Sequence, residues 1–323
     1  MTKPIQLLIT GGTGFIGRAL LRKLLKESPI GRSISVISRE PTAFINKYPG
    51  LGTSVRLIKA NVTNRHSLPF TMRFDQVIHA VSDTIAQDAG AGPDIGNEII
   101  IGTKNILELA KASGARRFLF LSSGAVYESH SFASSGVCES KFIPSESNYH
   151  RGRDIYSEAK RTAEALCLSY LEKEKFDVLI ARCFSFVGCD LPLQAQFAIG
   201  NFIYDALRSR EITVLGTGNA LRAYLDQSDL ADWLLKILEL GQAGRTYNVG
   251  SDQAITTKKL ALMVRAILAP DKSVTILGDS AADNLARSIY IPDISRIREE
   301  LGVHIRISLP DAIRNAAYNR TSD

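Results

Sequence analysis

The chain has 323 residues, of which 45% are hydrophobic and 22% are charged, and its formal net charge is +6. These proportions are ordinary for a globular enzyme, and the length suits one large domain or a main domain with a smaller appendage. No apolar stretch is long enough to span a bilayer, so we expect no membrane partner. The basic residues are scattered and are not interleaved with aromatic residues, which argues against a nucleic-acid partner.

The cysteines and histidines show no metal-binding spacing. The four cysteines form no C-x-x-C pair, and the five histidines form no ligand cluster. Isolated thiols of this kind are typical of a reducing compartment. The sequence therefore predicts a cytoplasmic protein without a metal site.

The first element is an apolar run of strand length, Ile5–Thr10, which leads directly into a glycine-rich turn and then a helical pattern. Gly12, Gly14 and Gly17 satisfy the pattern G-x-G-x-x-G, and a second pattern, G-x-x-G-x-x-G, begins at Gly11. Glycines in such a turn let the chain bend sharply, let backbone N–H groups approach a pyrophosphate and let the helix pack closely on the strand. In this strand–turn–helix context the pattern predicts a dinucleotide site, with a simple tight turn as the alternative.

Apolar runs alternate with helical patterns through the first 185 residues. The predicted strands are residues 5–10, 34–38, 55–60, 76–80, 117–122 and 177–183, and the clearest predicted helices are 97–112 and 155–174. This alternation predicts right-handed βαβ units and a parallel sheet covered on both faces. The predicted fold class is therefore α/β, with a doubly wound parallel sheet of the Rossmann type.

The rhythm changes after residue 188. Helices are predicted at 197–209, 229–240, 257–268 and 294–301, with a strand at 212–215. We therefore expect a dinucleotide-binding domain at 1–188 and a smaller α/β substrate-binding lobe at 189–323. Some segments of that lobe, such as residues 246–249, are candidates for a return to the sheet.

Tyr156 and Lys160 stand four residues apart within the predicted helix 155–174. This spacing places both side chains on one face of the helix. A lysine ammonium beside a tyrosine stabilises the phenolate, which makes proton transfer feasible at neutral pH. A surface pair without a function is the alternative, because chance often produces this spacing.

Ser122 and Ser123 lie at the end of a predicted parallel strand. Ligands bind at the carboxyl ends of the strands in doubly wound sheets, so these hydroxyls are candidates for a site. Taken alone, two serines at this position are more typical of a turn.

Together these motifs resemble the extended short-chain dehydrogenase/reductase family, which contains nucleotide-sugar epimerases, dehydratases and ketoreductases. The resemblance covers essentially the whole chain and implies an NAD(P)-dependent enzyme. The motifs that carry it are the glycine turn, Asn61-Val62, His79-Ala80, Asn97 with Gly102-Thr103-Lys104-Asn105, Ser122-Ser123, Tyr156 with Lys160, and residues 181–188.

The resemblance also implies roles for single residues. Tyr156 is the expected general acid/base at the sugar oxygen, Lys160 is expected to hold the nicotinamide ribose and tune the tyrosine, and Ser123 is expected to bind the same substrate oxygen. Val62 and Ala80 are expected around the adenine. The implied cofactor-binding residues are Gly11, Gly14, Phe15, Ile16, Gly17, Ser38, Arg39, Asn61, Val62, Ala80, Asn97, Tyr156 and Lys160.

Two positions depart from the pattern of the dehydratases in this family. Those enzymes carry an Asp-Glu pair directly after the catalytic hydroxyl, whereas this chain has Gly124 and Ala125. Neither side chain transfers protons. We therefore do not expect dehydration.

The end of the second strand bears on the choice of cofactor. NAD-specific proteins usually present an acidic residue there to the adenosine ribose. This chain has Ser38 and Arg39, which suit the 2′-phosphate of NADP because arginine supplies charge-assisted hydrogen bonds. Glu40 follows and is able to turn toward a ribose. NADP(H) is therefore favoured, and NAD stays possible.

The cofactor preference and the missing Asp-Glu pair together predict a net reductase, since family members that return the hydride within one cycle usually keep a bound NAD. The predicted function is NADPH-dependent reduction of a nucleotide-linked 4-keto-6-deoxy sugar in deoxysugar biosynthesis, with Tyr156 as the proton donor. The alternative is an NAD-dependent nucleotide-sugar 4-epimerase. A non-catalytic NADP-sensing protein is more remote, because Ser123, Tyr156 and Lys160 are all present.

The expected substrate is a nucleotide-diphosphate sugar. The residues assigned to it are Ser123, Ser185, Arg222 and Arg287. Arg222 lies in a segment that resembles the family's diphosphate-binding segment, and Arg287 is a second candidate; a surface salt bridge is the alternative for each. Ser185 stands where many relatives carry an asparagine that contacts the diphosphate. Asp229 is expected to cap the helix that follows.

The resemblance further implies a homodimer, in which helices 97–112 and 155–174 of two copies form a four-helix bundle. Apolar rows on these helices fit either a dimer face or packing on the sheet. The rows consist of Ile99, Ile106 and Leu109 on the first helix and Ala163, Leu166 and Leu168 on the second.

Overall fold

The computed structural model describes residues 3–27, 31–80, 94–127, 135–141, 152–174, 176–193, 197–278 and 289–318. The strands in these residues are β1 Ile5–Thr10, β2 Arg32–Ser38, β3 Arg56–Lys59, β4 Gln76–His79, β5 Arg117–Ser123, β6 Asp177–Cys183, β7 Phe186–Val187, β8 Ile212–Val214, β9 Leu221–Arg222, β10 Leu225–Asp226, β11 Thr246–Val249, β12 Ile255–Thr256, β13 Val274–Ile276 and β14 Ile289–Tyr290. The helices are α1 Phe15–Glu27, α2 Pro41–Lys47, α3 Pro49–Gly52, α4 Asp94–Ser113, α5 Gly152–Glu174, α6 Ala198–Arg208, α7 Gln227–Leu240, α8 Thr257–Leu268, α9 Ser295–Leu301 and α10 Leu309–Tyr318.

Seven of the described strands form a parallel sheet in the order β11-β6-β5-β4-β1-β2-β3. The sequence order reverses between β1 and β4, which pair side by side in parallel register. Such a reversal opens a crevice at the carboxyl ends of the two strands, where doubly wound sheets bind ligands. The predicted α/β fold with a Rossmann-like sheet is confirmed.

The sheet and the helices α4 and α5 enclose a hydrophobic core. Leu7, Leu8 and Ile9 of β1 are fully inaccessible, as expected for a strand covered on both faces. Most of the apolar rows predicted on α4 and α5 lie in this core, while Leu166 is partly buried against it and Leu168 is 36% exposed. Packing on the sheet therefore accounts for most of these rows.

The chain divides into two compact units. The first contains the described parts of residues 1–126, 146–182 and 231–247, which supply most of the sheet, α1–α5 and most of α7. The second contains the described parts of 127–145, 183–230 and 248–323. Its short strands pair as β8 with β13, β9 with β12 and β14, and β7 with β10. No helix in the described ranges has the length and apolarity needed to cross a membrane.

The start of α7 differs from the prediction. Asp226 caps this helix, because its Oδ1 accepts a hydrogen bond from the amide two residues later at 2.7 Å. Asp229, the expected cap, lies in the first turn and is fully buried. Its carboxylate accepts hydrogen bonds from Nε and the amide of Arg306 and from the amide of Ile307, at 2.9 to 3.0 Å. Asp229 therefore tethers the segment that precedes α10 instead.

Candidate active site

Gly11 and Gly17 show why the turn between β1 and α1 needs glycine. Gly11 has a φ of +70°, and its carbonyl accepts a hydrogen bond from the amide of Gly14 at 3.1 Å. A Cβ on Gly17 would lie 2.3 Å from that carbonyl oxygen, so the first turn of α1 packs directly on the turn. The amides of Phe15 and Ile16 begin the helix and have no acceptor within it. These amides and the helix dipole suit the pyrophosphate predicted here.

A cleft of about 230 Å³ lies beside this turn, within the first unit. Its lining comes from the carboxyl ends of β1–β4 and from the first turns of α4. The lining residues are Gly11, Thr13, Gly14, Ile37, Ser38, Arg39, Ala60, Asn61, Val62, Thr63, Ala80, Ile95, Glu98 and Ile99. Seven of the residues that the sequence assigns to the cofactor therefore lie in one cleft.

The end of β2 contributes Ser38 and Arg39 to the lining of this cleft. Ser38 is buried, and its Oγ accepts a hydrogen bond from the amide of Glu40 at 3.2 Å. Because Oγ acts as an acceptor there, its proton is available to a bound group. Arg39 is exposed and lines the cleft, whereas Glu40 is exposed and is absent from the lining.

Asn61 and Val62 form the wall that follows β3. The Oδ1 of Asn61 accepts hydrogen bonds from the amide and the hydroxyl of Thr63 at 3.1 and 3.0 Å. Val62 is buried, and its carbonyl accepts a hydrogen bond from Nδ2 of Asn105 at 2.8 Å. The Asn105 side chain thereby ties this wall to α4.

Tyr156 and Lys160 are both buried on α5. The Nζ of Lys160 lies 5.8 Å from the centre of the Tyr156 ring and donates a hydrogen bond to the carbonyl of Leu121 at 2.9 Å. It also lies 4.9 Å from the centre of the Phe120 ring. The buried ammonium is therefore held between α5 and the carboxyl end of β5, beside the Tyr156 ring.

Ser123 is the last residue of β5. It lies two residues after Leu121, whose carbonyl accepts the hydrogen bond from Lys160. Its Oγ accepts a hydrogen bond from the amide of Ala125 at 3.1 Å, so its own proton is available to a substrate oxygen. Ser122 is buried, and its Oγ has no hydrogen-bond partner in the described part of the chain. The side chains of successive strand residues point to opposite faces of the sheet. A ligand on one face therefore meets only one of the two serines.

His79 ends β4 as a buried, neutral imidazole. Its Nδ1 lies 2.7 Å from Oγ1 of Thr10, and its Nε2 lies 3.3 Å from Oγ1 of Thr103. Burial is the main cause that lowers the pKa of His79 to about 3, and the Lys160 ammonium adds to the effect. The ring also stacks on Phe120 with 5.9 Å between centres. His79 therefore links β1, β4 and α4 without carrying a charge.

A buried ion pair fixes α5 against the sheet. Arg182 of β6 binds Glu164 through Nε at 3.0 Å and Nη2 at 2.7 Å, and both side chains are nearly inaccessible. Removing one partner of such a pair costs about 3–5 kcal/mol, because the other charge is left buried. Glu164 lies one turn beyond Lys160, so the pair also fixes the helix face that carries Tyr156 and Lys160.

Two of the residues expected to bind the substrate diphosphate, Ser185 and Arg222, belong to the second unit. Ser185 follows β6, and its carbonyl accepts a hydrogen bond from the amide of Leu225 at 3.1 Å. Arg222 in β9 is half-buried and donates from Nη1 to the carbonyl of Leu221 at 2.8 Å. Burial raises the pKa of nearby Tyr224 to about 12, so that phenol stays protonated. Arg287 lies outside the described residues.

The lining of the cleft includes residues of α4 that the sequence analysis missed. Ile95, Glu98 and Ile99 line it, whereas Asn97 is exposed and is not part of the lining. Residues three and four apart share a helix face, so the three lining residues lie together and Asn97 lies off that face. This periodicity was visible in the sequence. The hydrogen bond from Lys160 to a backbone carbonyl had no sequence signal.

Comparisons with known proteins identify the family. The model of the NAD dependent epimerase/dehydratase family matches residues 7–250, so the chain belongs to this family. UDP-glucuronic acid decarboxylase 1 of Arabidopsis thaliana is 28% identical over 320 residues, which cover 96% of this chain and 68% of the relative. UDP-glucuronic acid decarboxylase 1 of Xenopus tropicalis is 27% identical over 326 residues, which cover 97% and 71% of the two chains.

Solved structures of low sequence identity share the fold. A UDP-glucose 4-epimerase of Thermotoga maritima, solved with UDP-glucose, has a TM-score of 0.82 at 19% identity and covers 97% of both chains. A dTDP-glucose 4,6-dehydratase of Streptomyces venezuelae, solved with NAD, has a TM-score of 0.79 at 23% identity, with coverage of 96% and 95%. RMD of Pseudomonas aeruginosa, solved with NADPH, has a TM-score of 0.73 at 23% identity and covers 97% of both. At these identities the similarity shows the fold alone.

Proposed function

We propose that this chain is an NADPH-dependent reductase of a nucleotide-linked 4-keto-6-deoxy sugar. The observation that carries the proposal is the end of β2, where Ser38 and Arg39 line the cleft and the carboxylate of Glu40 does not. Arginine binds phosphate oxygens in pairs through its planar fork, which suits the 2′-phosphate that distinguishes NADP from NAD. A cofactor that enters as NADPH and leaves oxidised matches a net reduction.

The proton in this reduction comes from Tyr156. The bound cofactor supplies a hydride to the carbonyl carbon of the sugar. Tyr156 gives its phenolic proton to the carbonyl oxygen, and the Ser123 hydroxyl donates a hydrogen bond to the same oxygen. The buried Lys160 ammonium stabilises the phenolate that forms. Gly124 and Ala125 offer no group that removes a proton from carbon, which argues against a dehydratase.

In this proposal the second unit binds the nucleotide diphosphate of the sugar. Arg222 and Arg287 supply charge-assisted hydrogen bonds to its phosphate oxygens, and Ser185 supplies a weaker polar contact. We also propose a homodimer through α4 and α5, because Ile101, Ile155 and Leu168 on these helices are 45%, 41% and 36% exposed. Sedimentation equilibrium measures the mass in solution; a value near that of a single chain contradicts the dimer.

A nucleotide-sugar 4-epimerase with a retained NAD is the second candidate. The family match and the fold shared with a UDP-glucose 4-epimerase favour it. The site residues Ser123, Tyr156 and Lys160 serve it equally well. Epimerisation would begin with oxidation of a sugar alcohol to the ketone, in which the carbon loses a hydride and the oxygen loses its proton, and would end with reduction of that ketone. The two candidates differ in whether the hydride returns to the sugar that supplied it.

The deciding experiment follows the cofactor. Purified protein is denatured and the released dinucleotide is identified, and NADPH oxidation is followed with a panel of dTDP-, UDP-, GDP- and CDP-linked 4-keto-6-deoxy sugars. Consumption of NADPH with one of these sugars is the expected result. In parallel, UDP-glucose and UDP-glucuronic acid are incubated without added cofactor. Co-purified NAD, together with sugar conversion in that incubation and no NADPH oxidation, overturns the reductase in favour of internal hydride return.

A further inference from the structure

The helix α4 contributes to the cleft a carboxylate that the proposed chemistry does not use. Glu98 lines the cleft on the same helix face as Ile95 and Ile99. The residue is exposed, and its carboxylate makes no hydrogen bond or ion pair with the residues that the structure describes. An acceptor at the edge of an apolar slot indicates a ligand with a donor at that edge.

The order of the chemical groups along a dinucleotide determines which of them lies near Glu98. The pyrophosphate lies at the start of α1, and the adenosine ribose lies at the end of β2. The base therefore extends past Ser38 toward the ends of β3 and β4. The lining in that direction is mostly apolar, and its apolar residues are Ile37, Ala60, Val62, Ala80, Ile95 and Ile99. The two faces of a purine ring pack against such apolar walls, but the polar atoms at the edge of the ring still need hydrogen-bond partners.

Asn61 does not supply an acceptor for that edge. Its Oδ1 already accepts hydrogen bonds from the amide and the hydroxyl of Thr63, which occupy both lone pairs. Its Nδ2 is a donor and does not bind an amino group. The Thr63 hydroxyl donates its proton to Asn61, so its oxygen offers a neutral acceptor only. Among the side chains of the described lining, Glu98 is the one that carries charged acceptor oxygens.

We propose that Glu98 accepts a hydrogen bond from the exocyclic 6-amino group of the cofactor's adenine and so selects adenine over a purine with a carbonyl at that position. The inference rests on the proposed dinucleotide-dependent function but not on the choice between NADP and NAD. With adenine, the donor and the carboxylate form a charge-assisted hydrogen bond. With hypoxanthine, a carbonyl oxygen would face the carboxylate, which adds repulsion to the lost hydrogen bond.

The test compares two cofactors that differ in this group alone. Titration calorimetry with the full chain measures the Kd of NADPH and of reduced nicotinamide hypoxanthine dinucleotide phosphate. We expect the adenine form to bind about tenfold tighter or more, which corresponds to about 1.4 kcal/mol. In Glu98→Ala this preference should fall below about threefold, because a side chain without an acceptor no longer distinguishes the two bases.

Two further variants sharpen the result. Glu98→Gln offers an amide oxygen to adenine or, after rotation, an amide NH2 to hypoxanthine, and should therefore lose most of the preference. Glu108→Gln removes a carboxylate from the same helix outside the cleft lining and should keep the wild-type preference. Equal binding of the two cofactors by the wild-type chain, or an undiminished preference in Glu98→Ala, overturns this inference alone. A wild-type chain that binds no dinucleotide at all overturns the proposed function as well.

Discussion

Tyr156 is buried, and replacing it with phenylalanine removes one hydroxyl while leaving the packing of the ring in place. We expect Tyr156→Phe to lower kcat about 10²–10⁴-fold, the usual contribution of a positioned proton donor, while the Kd of the cofactor changes less than about twofold. Steady-state kinetics and a binding titration measure the two effects separately. A loss of cofactor binding without a loss of kcat would assign Tyr156 to binding instead.

Tyr170 provides the matched control for this substitution. It lies on the same helix and is partly buried against the Phe176 ring, with 6.2 Å between the ring centres. Tyr170→Phe makes the same chemical change away from Lys160 and should keep kcat near the wild-type value. If the two variants behave alike, Tyr156 is not the proton donor.

Arg39 decides the cofactor preference in the proposed function. Arg39→Ala removes the guanidinium at the end of β2, and we expect the Kd of NADPH to rise about tenfold or more while the Kd of NADH changes less than about twofold. Lys59 is paired in register with Ser38 at the end of β3 but is not part of the cleft lining. Lys59→Ala therefore controls for general loss of positive charge and should leave both Kd values near wild type. Equal weakening of NADPH and NADH by Arg39→Ala contradicts a 2′-phosphate contact.

At the scale of elements, the first turn of α1 packs so closely on the glycine turn after β1 that a side chain at Gly17 meets backbone atoms. In Gly17→Ala the new Cβ would lie 2.3 Å from the Gly11 carbonyl oxygen and 2.4 Å from the Gly12 Cα, which are backbone atoms. The helix must therefore move away from the turn. We expect the free energy of unfolding to fall by about 1–3 kcal/mol and dinucleotide binding to be lost. Urea unfolding and calorimetric titration measure these effects.

Gly50 in α3 is the control for this prediction, because a Cβ there meets no atom within 4 Å. Gly50→Ala should keep binding unchanged and hold or slightly raise stability, since alanine is favoured over glycine in a helix by about 0.5–1 kcal/mol. If Gly17→Ala binds the cofactor as well as Gly50→Ala does, the turn does not cradle the pyrophosphate.

The periodicity of the sequence predicted the positions of the long helices and strands. It did not predict which groups their polar residues bind. The predicted helix 257–268 coincides with α8, and predicted strands agree with β1 and β6. Asp229 stands where a helix cap is expected, yet its carboxylate binds the backbone and side chain of Arg306, 77 residues away. A local pattern identifies a residue that is able to cap, but a distant donor competes for the same oxygens.

At the scale of the whole molecule, the sheet was predictable because its strands are nearly continuous apolar runs. The elements of the second unit were harder to predict from the sequence. Its two-residue strands, such as β9 and β14, exist through pairing with distant segments and have no periodicity of their own. The helix α10 was missed, and residues 231–247 belong to the first unit although they follow a long part of the second. The cleft was predicted in part. Its glycines and the residues at its strand ends belong to recognisable sequence motifs, whereas the lining residues of α4 show only a weak helical periodicity.

The stability of the whole molecule should depend on pH through His79. Its pKa is about 3 in the folded chain and 6.5 for a free side chain. Between these values the unfolded chain binds more protons, so the free energy of unfolding falls as the pH falls below about 6.5, by up to about 1.4 kcal/mol per pH unit. Above that pH both states are neutral and the effect vanishes.

Buried acids act in the opposite direction, so a variant is needed to isolate this term. Burial raises the pKa of Glu139 and Asp226, and such groups stabilise the folded chain as the pH falls through their raised values. His79→Gln keeps polar atoms for the two threonine hydroxyls and removes the titration. Urea unfolding of this variant should show a smaller loss of stability than wild type from about pH 6.5 to 5. His66→Gln, at an exposed histidine, should follow wild type; if His79→Gln does so too, His79 is not held neutral.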